Sequence, residues 1–257
     1  MVPRVSPNTY VNQTIGITQV VVTYGRPAAR DRVLFGSEGA LVPYGQIWRA
    51  GSDEATTISF SSDVQLEGTH VHAGTYSLFT TPGPDRWQIH LNEVVNQWGS
   101  YQYDASKDVV VVEVTPTAGS HVERLTYTFP EVSATEGVLE LAWGTMRVPV
   151  RISVDTPALM VVQAEAAMAG TDVRTLIPYV RYGMANGMDV RPWAARVVEL
   201  DRTFATLALQ ADVHAAVSDF AGAMGAAEAA LELGRAMENP PRAVDALAER
   251  LAGWRAR

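Results

Sequence analysis

The chain has no cysteine. That absence removes disulfides, cysteine-ligated zinc, iron–sulfur clusters and thiol catalysis together. Lysine is nearly absent too: of 20 basic residues only Lys107 is a lysine. The rest are arginine, which reads first as the codon usage of a GC-rich genome and second as selection for bidentate pairing. Positive charge is in deficit, with a net charge of −8 and a pI near 5.1. A general affinity for nucleic acid rests on clustered Lys and Arg against phosphate and is not expected. No apolar run approaches the length of a membrane span. The start, MVPRVSPNTY, lacks a basic leader followed by an apolar core, so no secretory signal is read there. P-loop, Rossmann and G-x-S-x-G motifs are all missing.

What is present is globular. Of 257 residues 47% are hydrophobic and 19% charged, which allows one large domain or two smaller ones. Two halves differ in kind. Residues 1–155 read as recurrent strands with turn residues between them, split first at Gly16. That pattern predicts a mainly β domain, an antiparallel β-sandwich of jelly-roll or barrel-like form. In QIHLNEV, Ile89, Leu91 and Glu93 share a dry face, and Gln88, His90 and Asn92 a wet one. In RVPVRISVD, Val148, Val150, Ile152 and Val154 line one face. DVVVVEV lacks alternation and is expected to lie centrally, covered on both faces. GVLELAWGTMRVPVRISVD is expected to break at Gly144-Thr145.

Residues 156–257 change to an all-α pattern rich in Ala, Leu, Met and Glu. Thr156-Pro157 reads as an N-cap with proline at the first helical position, opening a helix through Ala169 that stops at Gly170. Further helices are predicted at about 172–184, 190–200, 203–217, 219–236 and 240–255, the last with a cap signal at Asn239-Pro240. ADVHAAVSDFAGAMGAAEAALEL resembles a helical pair of the tetratricopeptide type, with Asp219-Phe220 in the turn and Ala223 and Ala227 at the small packing positions.

The strand half resembles a bacterial family of unknown function, the DUF2911 proteins. The segments that carry this are PRVSPNTYVNQTIG, VVVTYGRPAARDRVLFG, LVPYGQIWRAGSDEATTISFS, AGTYSLFTTPG with Trp87 downstream, NQWGSYQYDASKDVVVVEV and LELAWGTMRVPVRI. Together they span roughly residues 3 to 154, in the family's order. The resemblance implies a β-sandwich, helical C-terminal extensions in many members, and export to the periplasm or cell surface behind a leader. This chain starts at the first family strand, so either a leader was removed or this member is cytoplasmic. The compartment stays open, and the resemblance implies no reaction.

Three clusters are candidate sites. In WRAGSDEATTISF, Glu54 would share a face with Thr56, Ile58 and Phe60 and stand at the mouth of the core. There it needs a partner, which Arg49 would supply across the Gly51 turn. The functional reading puts Arg49, Asp53 and Glu54 in a pocket beside Trp48; the bland one makes the pair a turn lock. In NQWGSYQYD, Trp98, Tyr101 and Tyr103 offer a stacking platform for flat ligands, or plug the core and cap the sheet edge. His70 and His72 share a strand face; with His90 or a carboxylate they are weak candidates for a metal site, weighed against ordinary turn histidines.

The leading expectation is a ligand-binding or scaffold sandwich using Trp48, Arg49, Glu54, Trp98, Tyr101 and Tyr103. Its ligand would be a small molecule, glycan or peptide, and the helical region would serve as a partner surface. The alternatives are a hydrolase acting through the carboxylate of Asp53 or Glu54, with an Arg or His assistant such as Arg49, in a pocket lined by Trp48, Arg49 and Trp98, and a purely structural module; for glycoside hydrolysis Asp104 is a further carboxylate. No cofactor is expected.

Overall fold

A computed structural model describes residues 3–257; Met1 and Val2, where the leader reading begins, lie outside the described residues. The first hairpin forms where the sequence alternates on either side of Gly16. β1 (Asn8–Ile15) and β2 (Thr18–Gly25) pair antiparallel from Asn8↔Gly25 to Ile15↔Thr18, leaving a two-residue loop. Gly16 has φ +59°, the left-handed conformation that a hairpin of this length needs at its first central position. Along β2, Val20, Val22 and Tyr24 point inward and are buried.

The remaining strands are β3 (Phe35–Gly36), β4 (Val42–Pro43), β5 (Thr56–Phe60), β6 (Val64–Leu66), β7 (Thr69–Val71), β8 (Gly74–Thr81), β9 (Trp87–Asn92), β10 (Asp108–Val114), β11 (Thr117–Val132) and β12 (Glu136–Ser153). One antiparallel sheet has the order β1-β2-β5-β8-β9-β10 and a second β11-β12-β6-β7; β3 and β4 form a short parallel pair. A single buried cluster joins Val22, Ile58, Leu78 and Ile89 of the first sheet to Leu125, Leu139, Val148 and Ile152 of the second. Two open sheets over one core make a sandwich. There is no closed barrel, because β1 and β10 end the larger sheet.

Two strand expectations are overturned. β10 is an edge strand, not a central one, and Val109 and Val111 are 46% and 47% exposed while Val110, Val112 and Val114 are buried. Valine occupies both faces because the pleated backbone favours β-branched residues wherever they point, which hides the alternation. β12 runs through Gly144-Thr145 without a break. The ladder shifts register on either side of Val122↔Gly144, and Gly144 takes φ +56°, so the glycine marks a bulge.

The chain divides into two compact units, Met1–Thr156 and Pro157–Arg257. The helices are α1 (Thr156–Met168), α2 (Val173–Ala185), α3 (Arg191–Leu200), α4 (Phe204–Ala216), α5 (Phe220–Arg235) and α6 (Ala243–Arg255). Thr156 does not cap α1 as expected; its hydroxyl donates to the Ala134 carbonyl at 2.6 Å. α6 starts at Ala243, past the Asn239-Pro240 signal, and Arg242 gives it no side-chain cap. Between α4 and α5, Asp219 accepts from the Gly222 amide, and Ala223 and Ala227 are fully buried at the crossing.

Candidate functional site

The loop from Trp48 to Ala55 is pressed onto the sandwich by its own backbone. Trp48 exchanges two 2.8 Å hydrogen bonds with Thr80 of β8. Its ring is buried, stacked on Trp143 at 5.9 Å and edge-on to Phe35 at 5.6 Å. The Ala50 carbonyl accepts from the Thr56 hydroxyl at 3.0 Å and the Tyr127 phenol at 2.9 Å. Ala50 and Asp53 both have left-handed backbones, φ +53° and +62°. A Cβ on Gly25 would stand 2.1 Å from the Ser52 carbonyl oxygen, so only glycine lets β2 and this loop approach so closely.

These left-handed residues end the strand alternation before Glu54. Thr56, Ile58 and Phe60 are buried as expected, but Glu54 turns outward. Its partner is not Arg49. Arg4 donates from both terminal nitrogens to the two carboxylate oxygens at 2.8 Å each, with the side chains 46% and 43% exposed. The expected Arg49–Glu54 lock therefore does not form: the carboxylate avoids desolvation by meeting a cation in partly open solvent. The Arg4 guanidinium holds Glu54 down at about 2.

Arg49 instead faces a pocket of about 320 Å³ that it lines with Arg30, Arg32, Asp53, Trp48 and Trp143. Arg49 has no hydrogen-bond or ion-pair partner for its guanidinium among the described residues, and its Nε is buried. The Ser52 hydroxyl and the Trp143 indole nitrogen are likewise buried and unpartnered, and both residues line the same pocket. Arg32 is braced by the Ala29 carbonyl at 3.0 Å and by the Ala28 carbonyl at 2.5 Å. Arg30 and Asp31, the loop opposite, have φ +51° and +55°.

Backbone contacts bring the second candidate segment alongside. Gly99 donates to the Asp53 carbonyl and Ala55 to the Gln97 carbonyl, both at 2.9 Å. Trp98 and Tyr101 are 59% and 87% exposed. Tyr103 turns the other way. It packs edge-on to Phe79 at 4.9 Å and donates to Asp108 Oδ2, which also meets His90 Nδ1 at 2.9 Å. Burial first, then Asp108, pushes the Tyr103 phenol well up. His90 Nε2 meets the Thr81 hydroxyl at 3.0 Å, and Asn92 donates to Asp108 at 2.8 Å. The face expected to be wet at His90 and Asn92 is thus covered by the following loop, and both residues are buried. Asp104 is spent on capping the turn at Ser106, whose amide it accepts at 2.9 Å.

His90 stands apart from the other two histidines. His70 Nε2 and His72 Nδ1 each lie 3.1 Å from Asp63 Oδ2.

Sequence reasoning reached Trp48, Arg49 and Asp53 but missed Arg30, Arg32, Ser52 and Trp143. A signal was present: GRPAARDR packs Arg26, Arg30 and Arg32 into an otherwise acidic chain. Arg26 is used structurally, on the Leu125 carbonyl at 3.1 Å and the Thr126 hydroxyl at 2.9 Å. No periodicity says that this loop and the 48–54 loop share a pocket.

Fold and pocket together define an open antiparallel sandwich with an arginine-lined cavity in its loops. Residues 6–152 match the family described as Protein of unknown function (DUF2911), and the chain belongs to that family. No curated protein and no solved structure gives a significant match.

Proposed function

We propose that the β unit binds a small anionic ligand, a carboxylate or phosphate on a compact body, between Arg30, Arg32 and Arg49 with Trp48 and Trp143 as apolar walls. The observation that carries this is the Arg49 guanidinium, without a partner among the described residues and with its Nε buried, on a residue that lines one pocket with two further arginines. A buried donor left unpaired costs about 1–3 kcal/mol. Three such groups around one cavity, Arg49 Nε, Ser52 Oγ and Trp143 Nε1, are better explained by an acceptor that arrives with a ligand. Non-glycine left-handed residues cost about 1–3 kcal/mol each and gather at functional sites. Arg30, Asp31, Ala50 and Asp53 form such a group in the two loops that supply the arginines. Guanidinium forks suit carboxylate and phosphate, and about 320 Å³ accommodates a small ligand.

The test is a thermal-shift and calorimetric screen of the full chain against phosphate, acetate and citrate at matched ionic strength. At least one should stabilise the wild type and not Arg49→Gln. If no anion outperforms chloride, or if the shift survives in Arg49→Gln, the reading fails.

The hydrolase alternative is less well supported. A general acid works best with a pKa near the working pH, and Glu54 sits at about 2. A second binding reading uses Trp98 and Tyr101, whose exposed rings would stack a glycan or peptide; Trp98→Ala should then weaken binding while Arg49→Gln does not. The tetratricopeptide-type reading of α4–α5 as a partner surface rests on the buried alanines at their crossing.

A further inference from the structure

We propose that Asp63, His70 and His72 form a binding site for one divalent transition-metal ion of the zinc class. The hairpin β6–β7 turns at Glu67-Gly68, both left-handed at φ +46° and +81°, as a two-residue loop of this type requires. Its pairs run Leu66↔Thr69, Gln65↔His70 and Val64↔Val71. One step further the register sets Asp63 opposite His72. With a side-chain period of two, His70, His72 and Asp63 then share one face, while Val64, Leu66 and Val71 are buried on the other. The strand pairing alone thus converges two imidazoles and a carboxylate.

The distances fit. His70 Nε2 and His72 Nδ1 are each 3.1 Å from Asp63 Oδ2, and the three donor atoms all lie within 4.8 Å of one another. Zinc bonds of roughly 2.0–2.2 Å in tetrahedral geometry place neighbouring donors ~3.3 Å apart, close to the two 3.1 Å separations, and the two imidazole nitrogens would close by at most ~1.5 Å from the 4.8 Å limit. The carboxylate is already oriented. Asp63 Oδ1 accepts from the Ala73 amide at 2.8 Å, leaving Oδ2 for the ion, and second contacts of this kind tune metal ligands. The His72 backbone is held through its carbonyl, which accepts from the Tyr76 phenol at 2.9 Å. Two imidazoles and one carboxylate favour zinc, copper, nickel or cobalt over magnesium or calcium. The side chains of His70, Asp63 and His72 are 56%, 50% and 79% exposed, so water completes the shell and positions stay open to an incoming ligand.

The competing description has both imidazoles simply donating N–H to Asp63. Zinc titration of the tag-free, chelator-treated full chain separates the two. Calorimetry should give one saturable equivalent, weakened at least tenfold in His70→Ala and His72→Ala and unchanged in His121→Ala, whose ring lies beside Glu123. Nitrogen NMR on the wild type provides a reading that needs no variant: zinc should shift His70 Nε2 and His72 Nδ1, and magnesium should not. Absence of saturable zinc binding overturns the proposal. So does binding that survives in the variant carrying both His70→Ala and His72→Ala, or zinc shifts confined to His90, His121 or His214.

Discussion

His90 Nδ1 lies 2.9 Å from Asp108 Oδ2, with the two side chains only 10% and 6% exposed, on the face of the larger sheet turned away from the core. Tyr103 donates to the same oxygen and Asn92 to the other. One carboxylate therefore serves as the shared acceptor of three groups covered by the loop from Glu93 to Asp104, while Asn92 also donates to the Asp104 carbonyl at 3.0 Å and the Tyr103 hydroxyl lies 3.2 Å from His90 Nδ1. Removing one member of a buried, mutually bonded network is the expensive change. Asp108→Ala is expected to cost about 3–5 kcal/mol in urea unfolding, and Tyr103→Phe about 1 kcal/mol. The two losses should be strongly non-additive in a double-mutant cycle. A cost below about 1 kcal/mol for Asp108→Ala would mean that water replaces the carboxylate.

The Arg4–Glu54 pair has a pH signature of defined sign. Glu54 titrates at about 2 in the folded chain, against an ordinary value of 4.5. A depressed carboxylate contributes stability that is present above about pH 4.5 and lost as pH falls through about 2. Both side chains are substantially exposed, so solvent and salt screen the contribution and it stays small. Carboxyl NMR of Glu54 should give a midpoint near 2 in the wild type, rising toward 4.5 in Arg4→Ala and in high salt. A midpoint that does not move in Arg4→Ala would assign the depression to the backbone instead.

Much of the fold was legible because strand alternation and turn residues are local signals. β1 and β2 on either side of Gly16, the buried row Val148, Val150, Ile152 and Val154, and the buried alanines of α5 all follow from spacing. β10 was misread because valine on both faces erases the alternation that separates an edge from a centre. Glu54 was misread because Ala50 and Asp53 are not glycines, so nothing in the sequence announced the left-handed turns that redirect it. The pocket was half legible. Trp48 and Arg49 stood out, whereas Arg30, Arg32 and Trp143 join them only through long-range folding. Arg4, fifty residues from Glu54, was beyond any local pattern.

Arg49 should behave as a residue held for binding and not for stability. The pair with Glu54 suggested by the sequence would make its loss cost several kcal/mol. With no partner for the guanidinium among the described residues and a buried Nε, replacement by an apolar side chain of similar reach removes an unsatisfied donor. Arg49→Met is expected to leave the melting temperature unchanged or raise it, with stability within about 1 kcal/mol of the wild type or above it. The same variant should lose the stabilisation by anions. A loss above about 2 kcal/mol in Arg49→Met would reveal a structural role.

Two glycines test whether backbone approach or helix propensity governs each unit. A Cβ at Gly25 would lie 2.1 Å from the carbonyl oxygen and 2.7 Å from the hydroxyl of Ser52. The first of these atoms belongs to the backbone, and the loop carrying it is tied down through the Ala50 carbonyl by Thr56 and Tyr127. The strain cannot be relieved by a rotamer change, so Gly25→Ala should cost about 2–3 kcal/mol and disturb the pocket beside Ser52. Gly225 in α5 is exposed, has nothing within 4 Å of its missing Cβ and keeps an ordinary helical backbone. There alanine gains helix propensity, and Gly225→Ala should stabilise the helical unit by about 0.5–1 kcal/mol. Tryptophan fluorescence and helical circular dichroism during urea unfolding read the two effects. If Gly25→Ala is neutral, the loop from Trp48 to Ala55 is looser than its hydrogen bonds imply, and the rigid placement of Arg49 goes with it.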